Sequence, residues 1–349
     1  MKKLCSPQTG SVYKRPRYFS RPFRRRTGEF ETPILRPGRE ELMATTVDPR
    51  PARPRHKPRA CIILRLRGGV GNQLFQYAMG RKAALETGSA LLFDVTDYDR
   101  HHDREFVLGH FNCVGGLANL ADCARVLWPA REFGNTAQLL RKVYPFYKSR
   151  CVHEKDFART PDMPRISANS YLDGYWQRAL VPLSIQNTLR KELSLKRPLS
   201  LSRQALLSRI NAEPSIAIHI RRGDYLKPQN LANYGLCSPA YYQKAKQFMD
   251  EVVPSAHYFV FSDDPNWAAG FFSNTSNVTI VSPDPDRKDH EDLVLMAQCS
   301  HTIMANSSFS WWAAFLNPNP TKRVVAPAQW FKAANKSADH LMLPSWHLL

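Results

Sequence analysis

From Ser215 to Ala326 short apolar runs alternate with amphipathic segments, and this alternation restricts the fold more than any other feature of the chain. Apolar runs predict strands at Ser215 to Ile220, Tyr258 to Phe261, Val278 to Val281, His301 to Ala305 and Arg323 to Ala326. Between them the spacing predicts helices at Pro239 to Val253, Pro265 to Phe272, His290 to Gln298 and Phe309 to Leu316. Parallel neighbours need long crossovers, so strands separated by helices read as an open parallel sheet. Ligands of such sheets bind beyond the carboxyl ends of the strands.

A second unit of the same kind begins upstream. The apolar run Cys61 to Leu66 leads into Arg67-Gly68-Gly69-Val70-Gly71, then a helical pattern from Asn72 to Glu86 and a second apolar run at Leu91 to Phe93. Residues 100 to 180 read as mixed short strands rich in aromatics, as in Tyr171-Leu172-Asp173-Gly174-Tyr175-Trp176. A helix is expected from Pro182 to Leu193, and the polar stretch near 195 to 213 marks the expected domain boundary. With 349 residues the chain suits two domains, here 59–200 and 201–349.

The net charge of +19 resembles a nucleic-acid binder until it is mapped. Residues 1–60 carry 16 Lys/Arg against 5 Asp/Glu, which is more than half of the excess. Residues 1–58, rich in Pro and Arg, have too little apolar surface to offset ordering entropy, so a disordered basic tail is expected. Its functional reading is peripheral attachment to anionic membrane lipids. The charge on the remainder suits an enzyme with an anionic substrate, so no nucleic-acid partner is expected.

Seven scattered cysteines without a Cys-x-x-Cys pair argue against a disulfide framework or a zinc site. No apolar run approaches the ~18 residues of a membrane span, and no signal peptide is apparent, so a cytoplasmic location is expected. Two Asp-x-Asp tripeptides, at Asp97 to Asp99 and Asp284 to Asp286, would suit a metal-bridged diphosphate. Such pairs also arise by chance, and arginine can replace the metal, so no metal and no cofactor is expected.

The segment Ala217-Ile218-His219-Ile220-Arg221-Arg222-Gly223-Asp224-Tyr225 runs from a buried strand straight into two arginines. A guanidinium there offers paired donors to phosphate oxygens, and it would stabilise a diphosphate leaving group as that group gains charge. Arg221 and Arg222 are both candidates, and Asp224 is counted with them among the donor-binding residues; the alternative is a surface arginine pair bridged to Asp224. Farther on, Asn306-Ser307-Ser308 opens an apolar helix. Its hydroxyls and free backbone N–H groups make Ser307 and Ser308 candidate phosphate ligands, or one of them a plain N-cap. The glycine loop with Gly69, Gly71 and Asn72 allows backbone to approach a ligand closely.

With these residues in view, the chain resembles the alpha-1,2-fucosyltransferase family, within the superfamily that also holds alpha-1,6- and protein O-fucosyltransferases. The resemblance rests on His219-Ile220-Arg221-Arg222-Gly223-Asp224, on Gly68 to Ala78, on Phe261-Ser262-Asp263-Asp264-Pro265-Asn266-Trp267 and on Ala305 to Ala313. It covers residues 61 to 331. It implies an α/β, GT-B-like fold: two Rossmann-like domains facing across a cleft, the C-terminal one holding most of the donor. The implied donor is GDP-fucose and the implied acceptor a galactose-containing glycan. Arg221 matches the family's essential diphosphate arginine, His219 a histidine that helps to hold GDP, and Asp263 lies in the block that meets guanine. Asp264 reads as a helix cap.

The reaction so implied inverts the anomeric carbon and needs a general base. Asp94, ending a strand, and Asp173 are the candidates. Alternative readings are an alpha-1,6-fucosyltransferase acting on N-acetylglucosamine, which would share the arginine motif, and a basic nucleotide- or nucleic-acid-binding protein without turnover.

Overall fold

Two parallel sheets follow one another in a computed structural model that describes residues 60–99, 104–127, 150–154, 163–281, 288–333 and 337–349. The expected tail at 1–58 and the tripeptide Asp284 to Asp286 lie outside the described residues. The first sheet contains β1 (Cys61–Arg65), β2 (Ala90–Asp94), β3 (Gly116–Leu117), β4 (Cys151–His153) and β5 (Ser170–Asp173), in the order β3-β2-β1-β5-β4. Helix α1 (Val70–Thr87) connects β1 to β2, and α2 (Leu120–Leu127) follows β3. After β5 come α3 (Leu180–Ser184), α4 (Gln186–Glu192) and α5 (Leu201–Ala212).

The second sheet comprises β6 (Ser215–Ile220), β7 (His257–Ser262), β8 (Val278–Ile280), β9 (His301–Ile303), β10 (Val324–Ala326) and β11 (His347–Leu348), ordered β11-β10-β9-β6-β7-β8. Its helices are α6 (Pro228–Asn233), α7 (Pro239–Val252), α8 (Pro265–Phe271), α9 (Asp289–Gln298) and α10 (Ser308–Leu316). Every recorded strand pairing in both sheets is parallel. The fold is therefore α/β with two Rossmann-like halves, as expected. All six residues of β6 are buried, which is why the sequence there is continuously apolar instead of alternating.

Three expectations change. The helix read from Pro182 to Leu193 is broken into α3 and α4 at Ile185, whose φ of −128° leaves the helical region. The polar stretch near 195 to 213 contains α5, which turns Ile210 and Arg203 inward, packs Leu206 and Leu207 only partly against the core and leaves Leu201 exposed, so no clean apolar face registered. A sixth strand, β11, is too short to show a period. Helix caps fall where side chains were read as caps: an Asp264 carboxylate oxygen accepts from the Trp267 N–H at 3.2 Å at the start of α8.

The halves share one apolar cluster. Phe75 of α1 lies 4.6 Å from Trp311 and 5.1 Å from Trp312 of α10, ring centre to ring centre, and all three side chains are buried. Truncating such a ring costs about 3–5 kcal/mol, so this contact fixes the separation of the two sheets. No helix among the described residues is long and apolar enough to cross a membrane.

Candidate active site

Strand order places the site. In the second sheet β7 and β8 lie to one side of β6 while β9 and β10 lie to the other. In the first sheet β2 and β3 lie to one side of β1, and β5 and β4 to the other. Each arrangement leaves a crevice at the carboxyl ends where the order reverses. Residues from both edges line one cleft of about 1850 Å³, including Gly69, Gly71 and Asn72 after β1, His219 and Arg221 at the end of β6, Asp263 after β7, and Ser307 and Ser308 after β9.

The second sheet contributes a lattice of charges. Arg221 Nη2 meets Asp224 Oδ1 at 2.7 Å and Nη1 meets Asp263 Oδ2 at 3.1 Å. Arg104, from the other half, meets Asp224 Oδ2 at 2.8 Å. The two arginines of the motif now separate. Arg221 lines the cleft, whereas Arg222, the next residue of an extended segment, points elsewhere. Arg222 Nε pairs with Asp264 at 3.0 Å, and its guanidinium lies 4.4 Å over the Trp267 ring. Arg222 thus packs as a structural cation, which corrects the expectation that it binds the donor directly. Asp263 has both oxygens engaged, one with Arg221 and the other accepting the Arg222 backbone N–H at 2.8 Å. In this arrangement it orients Arg221.

His219 is buried beside Arg221. Burial first, and then the Arg221 charge, push its imidazole down to about 3, so the ring is neutral at ordinary pH. Its Nδ1 has no hydrogen-bond partner among the described residues. A neutral ring with one unsatisfied nitrogen on a cleft wall is suited to a polar ligand atom.

The serines divide their roles. Ser307 caps α10, its Oγ accepting from the Phe309 N–H at 3.3 Å. Ser308 Oγ donates to Asn72 Oδ1 at 3.2 Å, and that oxygen also accepts from Gln177 Nε2 at 2.7 Å. This junction explains Gly71: a Cβ there would lie 2.5 Å from the Ser308 carbonyl carbon and 2.6 Å from the Phe309 nitrogen. The glycine loop therefore approaches the helix start backbone to backbone. What α10 offers a ligand is its positive N-terminal end.

Neither proposed base reaches the cleft. Asp94 is 3% exposed and accepts from Thr96 Oγ1 at 2.7 Å and from the Tyr171 hydroxyl at 2.7 Å, which makes it a core acceptor at the end of β2. Asp173 is surrounded by Arg65, Arg67 and His153 at 3.3–3.4 Å. The His153 hydrogen bond first, and the two arginines, hold its carboxyl down at about 2 despite burial. A carboxylate so stabilised is a poor proton acceptor.

Sequence reasoning missed several cleft residues. Arg104 sits in the mixed region, and His110 stacks on His290 at 3.9 Å, where burial and then His110 push His290 down to about 4. Glu154 and Tyr175 also line the cleft. Their one local signal is position: each directly follows, or lies two residues beyond, a short strand.

Residues 147–349 match Glycosyl transferase family 11. The chain is 29% identical to the O-antigen biosynthesis glycosyltransferase WbnK of Escherichia coli, over 80% of this chain and 98% of that protein. It is 28% identical to an alpha-1,2-colitosyltransferase of Escherichia coli, over 78% and 92%. A galactoside alpha-(1,2)-fucosyltransferase 1 of Bos taurus is 29% identical over 38% of this chain and 39% of its own length. Among solved structures, the fucosyltransferase NodZ from Bradyrhizobium superposes with a TM-score of 0.45 at 16% identity, covering 73% of this chain and 92% of NodZ.

Proposed function

The chain belongs to glycosyl transferase family 11, and on that premise we propose that it transfers L-fucose from GDP-β-L-fucose to the 2-hydroxyl of a galactose in an oligosaccharide or polysaccharide, with inversion. The observation that carries this reading is Arg221: a guanidinium at the switch point of a parallel sheet, facing the cleft and oriented by two carboxylates. The diphosphate of the donor binds between Arg221 and the N-terminus of α10, and the charge that grows on the leaving oxygen strengthens both contacts. His219 receives a polar atom of the nucleotide on Nδ1. The glycine loop at Gly69 to Asn72 closes over the transferred sugar. Residues 59–200 form the acceptor half and 201–349 the donor half, the basic segment before them serving as a peripheral attachment in the cytoplasm.

A second donor has a specific observation behind it, because one relative spanning most of the chain is a colitosyltransferase. Colitose is fucose without its 3-hydroxyl. The alpha-1,6 and nucleic-acid readings have no comparable support. The test is incubation with GDP-fucose or GDP-colitose and a panel of β-galactosides, reading GDP release and product linkage by NMR. An α-1,2-fucosylated galactoside is expected. A faster reaction with GDP-colitose would transfer the assignment to that donor, and absence of GDP release from either would overturn the proposal.

A further inference from the structure

With Asp94 and Asp173 withdrawn from the cleft, the proposed reaction lacks a base and its acceptor lacks a seat. Resting on the transferase reading above, we infer that the exits of β4 and β5 form the acceptor subsite, with Glu154 as the general base and Tyr175 and Tyr234 as the walls that hold a pyranose ring.

Strand pairing brings the parts together. His153 and Asp173 are register partners at the ends of β4 and β5, so the chain leaves both strands side by side, next to β1 and its glycine loop. Glu154 is the first residue past β4, and its Oε2 accepts the Tyr175 backbone N–H at 2.7 Å. Gly174 makes room for this: a Cβ there would lie 2.3 Å from the Glu154 Cβ and 3.0 Å from Oε2.

The next residue but one is strained. Trp176 is 2% exposed yet has φ of +56°, a conformation that bulky residues avoid at a cost of about 1–2 kcal/mol. Its buried indole anchors the turn and sends Tyr175 outward. Tyr175 remains 38% exposed on the cleft wall, with the Arg67 guanidinium 4.7 Å from its ring. Backbone strain that presents an aromatic ring to a cleft is the kind kept where a ligand needs it.

The opposite wall continues from the donor site. Arg221 lies 5.8 Å over Tyr225, and Tyr225 stacks on Tyr234 with ring centres 5.1 Å apart at 16°. Tyr225, Tyr234 and Tyr175 all line the same cleft, so the stacked pair beside Arg221 and the ring of Tyr175 border one space. A galactose ring presents one face of C–H groups at C3, C4 and C5, which suits such walls, while its hydroxyl edge faces Glu154.

Other acids on this cleft are engaged. Asp224 and Asp263 hold Arg221, Asp292 pairs with Arg203 at 2.8 Å, Glu291 accepts from the Ser200 hydroxyl at 2.8 Å, and Asp289, in the first turn of α9, has an interaction partner of its own. Glu105 is solvent-exposed. Glu154 instead receives a backbone amide on one oxygen, a contact that fixes the carboxylate, and among the described residues it has no ion pair to weaken it as a base. In the step proposed, the acceptor O–H bond breaks and its proton passes to Glu154. The acceptor oxygen bonds to the anomeric carbon, and the donor C–O bond breaks with its electron pair leaving on the β-phosphate of GDP.

The test compares the full chain with Glu154→Gln, Tyr175→Ala and Tyr234→Ala, measuring GDP affinity by calorimetry and steady-state kinetics with GDP-fucose and a β-galactoside. Glutamine can still accept the Tyr175 amide. Glu154→Gln should lower kcat about 10²- to 10⁴-fold, flatten the acidic limb of the kcat pH profile and leave GDP affinity within about twofold. Each tyrosine variant should raise the acceptor KM about tenfold with GDP affinity kept. A Glu154→Gln protein with kcat within about threefold of the parent overturns the inference while the transferase reading stands. A parent that binds no GDP overturns both.

Discussion

The two carboxyl edges that meet in the cleft use their charges differently. On the second sheet the ion pairs are at the cleft surface: Arg221 with Asp224 and Asp263, and Arg104 reaching across to Asp224. On the first sheet the corresponding lattice, Arg65 and Arg67 with Asp97, Asp173 and His153, is half-buried and does not line the cleft, whose wall on that side includes Tyr175 and Glu154 instead. The contrast matches the two substrates proposed. A diphosphate needs oriented positive charge, and a neutral sugar needs apolar walls with a few polar groups.

The largest test of this contrast is Arg221. On the proposed reading its guanidinium would contact the diphosphate before and during reaction, but more strongly as the leaving oxygen takes up charge. Arg221→Ala should cost about 3–4 kcal/mol in kcat/KM, most of it in kcat, by analogy with loss of one oxyanion donor. Arg221→Lys should not restore it, since an ammonium cannot match the paired geometry that Asp224 and Asp263 enforce. Steady-state kinetics with a parallel thermal melt decide, and a folded Arg221→Lys variant at near-parental turnover would remove the bidentate role. Arg222→Lys, off the cleft, should reduce activity far less.

The junction between the edges is the next test. Gly71→Ala puts a methyl against the backbone of Ser308 and Phe309, where no side chain can rotate away. Overpacking of this kind costs about 1–3 kcal/mol, and the upper end is expected here. Chemical denaturation should report that loss together with a reduced kcat. Unchanged stability would mean that the loop moves freely relative to α10.

A third test separates the edges by pH. The unfolded histidine near 6.5 binds a proton that buried His219, pushed down to about 3, refuses. Since the unfolded state then holds more protons, stability falls as pH drops below 6.5. Between pH 7 and 5 this amounts to about 2 kcal/mol for His219 alone, and any folded value below about 4 gives nearly the same figure. His219→Gln should flatten that part of the thermal-melt profile. Asp173, held at about 2, acts in a lower window: its stabilisation is present above about 4 and fades as pH falls toward 2.

The same contrast explains what the sequence could convey. On the second sheet, the chemistry lies in contiguous text: β6 ends at Ile220 and Arg221 follows at once, and the β9 block runs straight into Ser307. A buried parallel strand must be apolar throughout, so its end marks the ligand edge without further information. On the first sheet, β3, β4 and β5 are two to four residues long, too short for any period to emerge. Asp173 was a fair candidate by position, yet its neighbours Arg65, Arg67 and His153 come from β1, the loop that follows it and β4, and strand pairing brings them together. Glu154 is separated from Tyr175 by 21 positions and meets it through the same register. Arg222 illustrates the opposite error, since adjacency to Arg221 suggested a shared role that side-chain alternation divides.

The smallest expected effect concerns divalent metal. If the charged edge is the diphosphate site, Arg221 supplies a fixed positive charge and the nine-residue helix α10 supplies its N-terminal amides, so the leaving group is stabilised without a bridging cation. The tripeptide Asp97 to Asp99 cannot readily serve instead, because Asp97 pairs with Arg65 at 2.6 Å. Among the described residues, no group of three or more His, Cys, Asp or Glu is arranged to hold a metal ion. Activity in excess EDTA should therefore stay within about twofold of the untreated enzyme, measured as GDP release with GDP-fucose and a β-galactoside. Loss of turnover that Mn²⁺ restores would transfer part of the leaving-group role from Arg221 to a metal. Asp284→Asn and Asp286→Asn would then be the variants to compare, and the Arg221→Ala penalty should shrink as Mn²⁺ is raised.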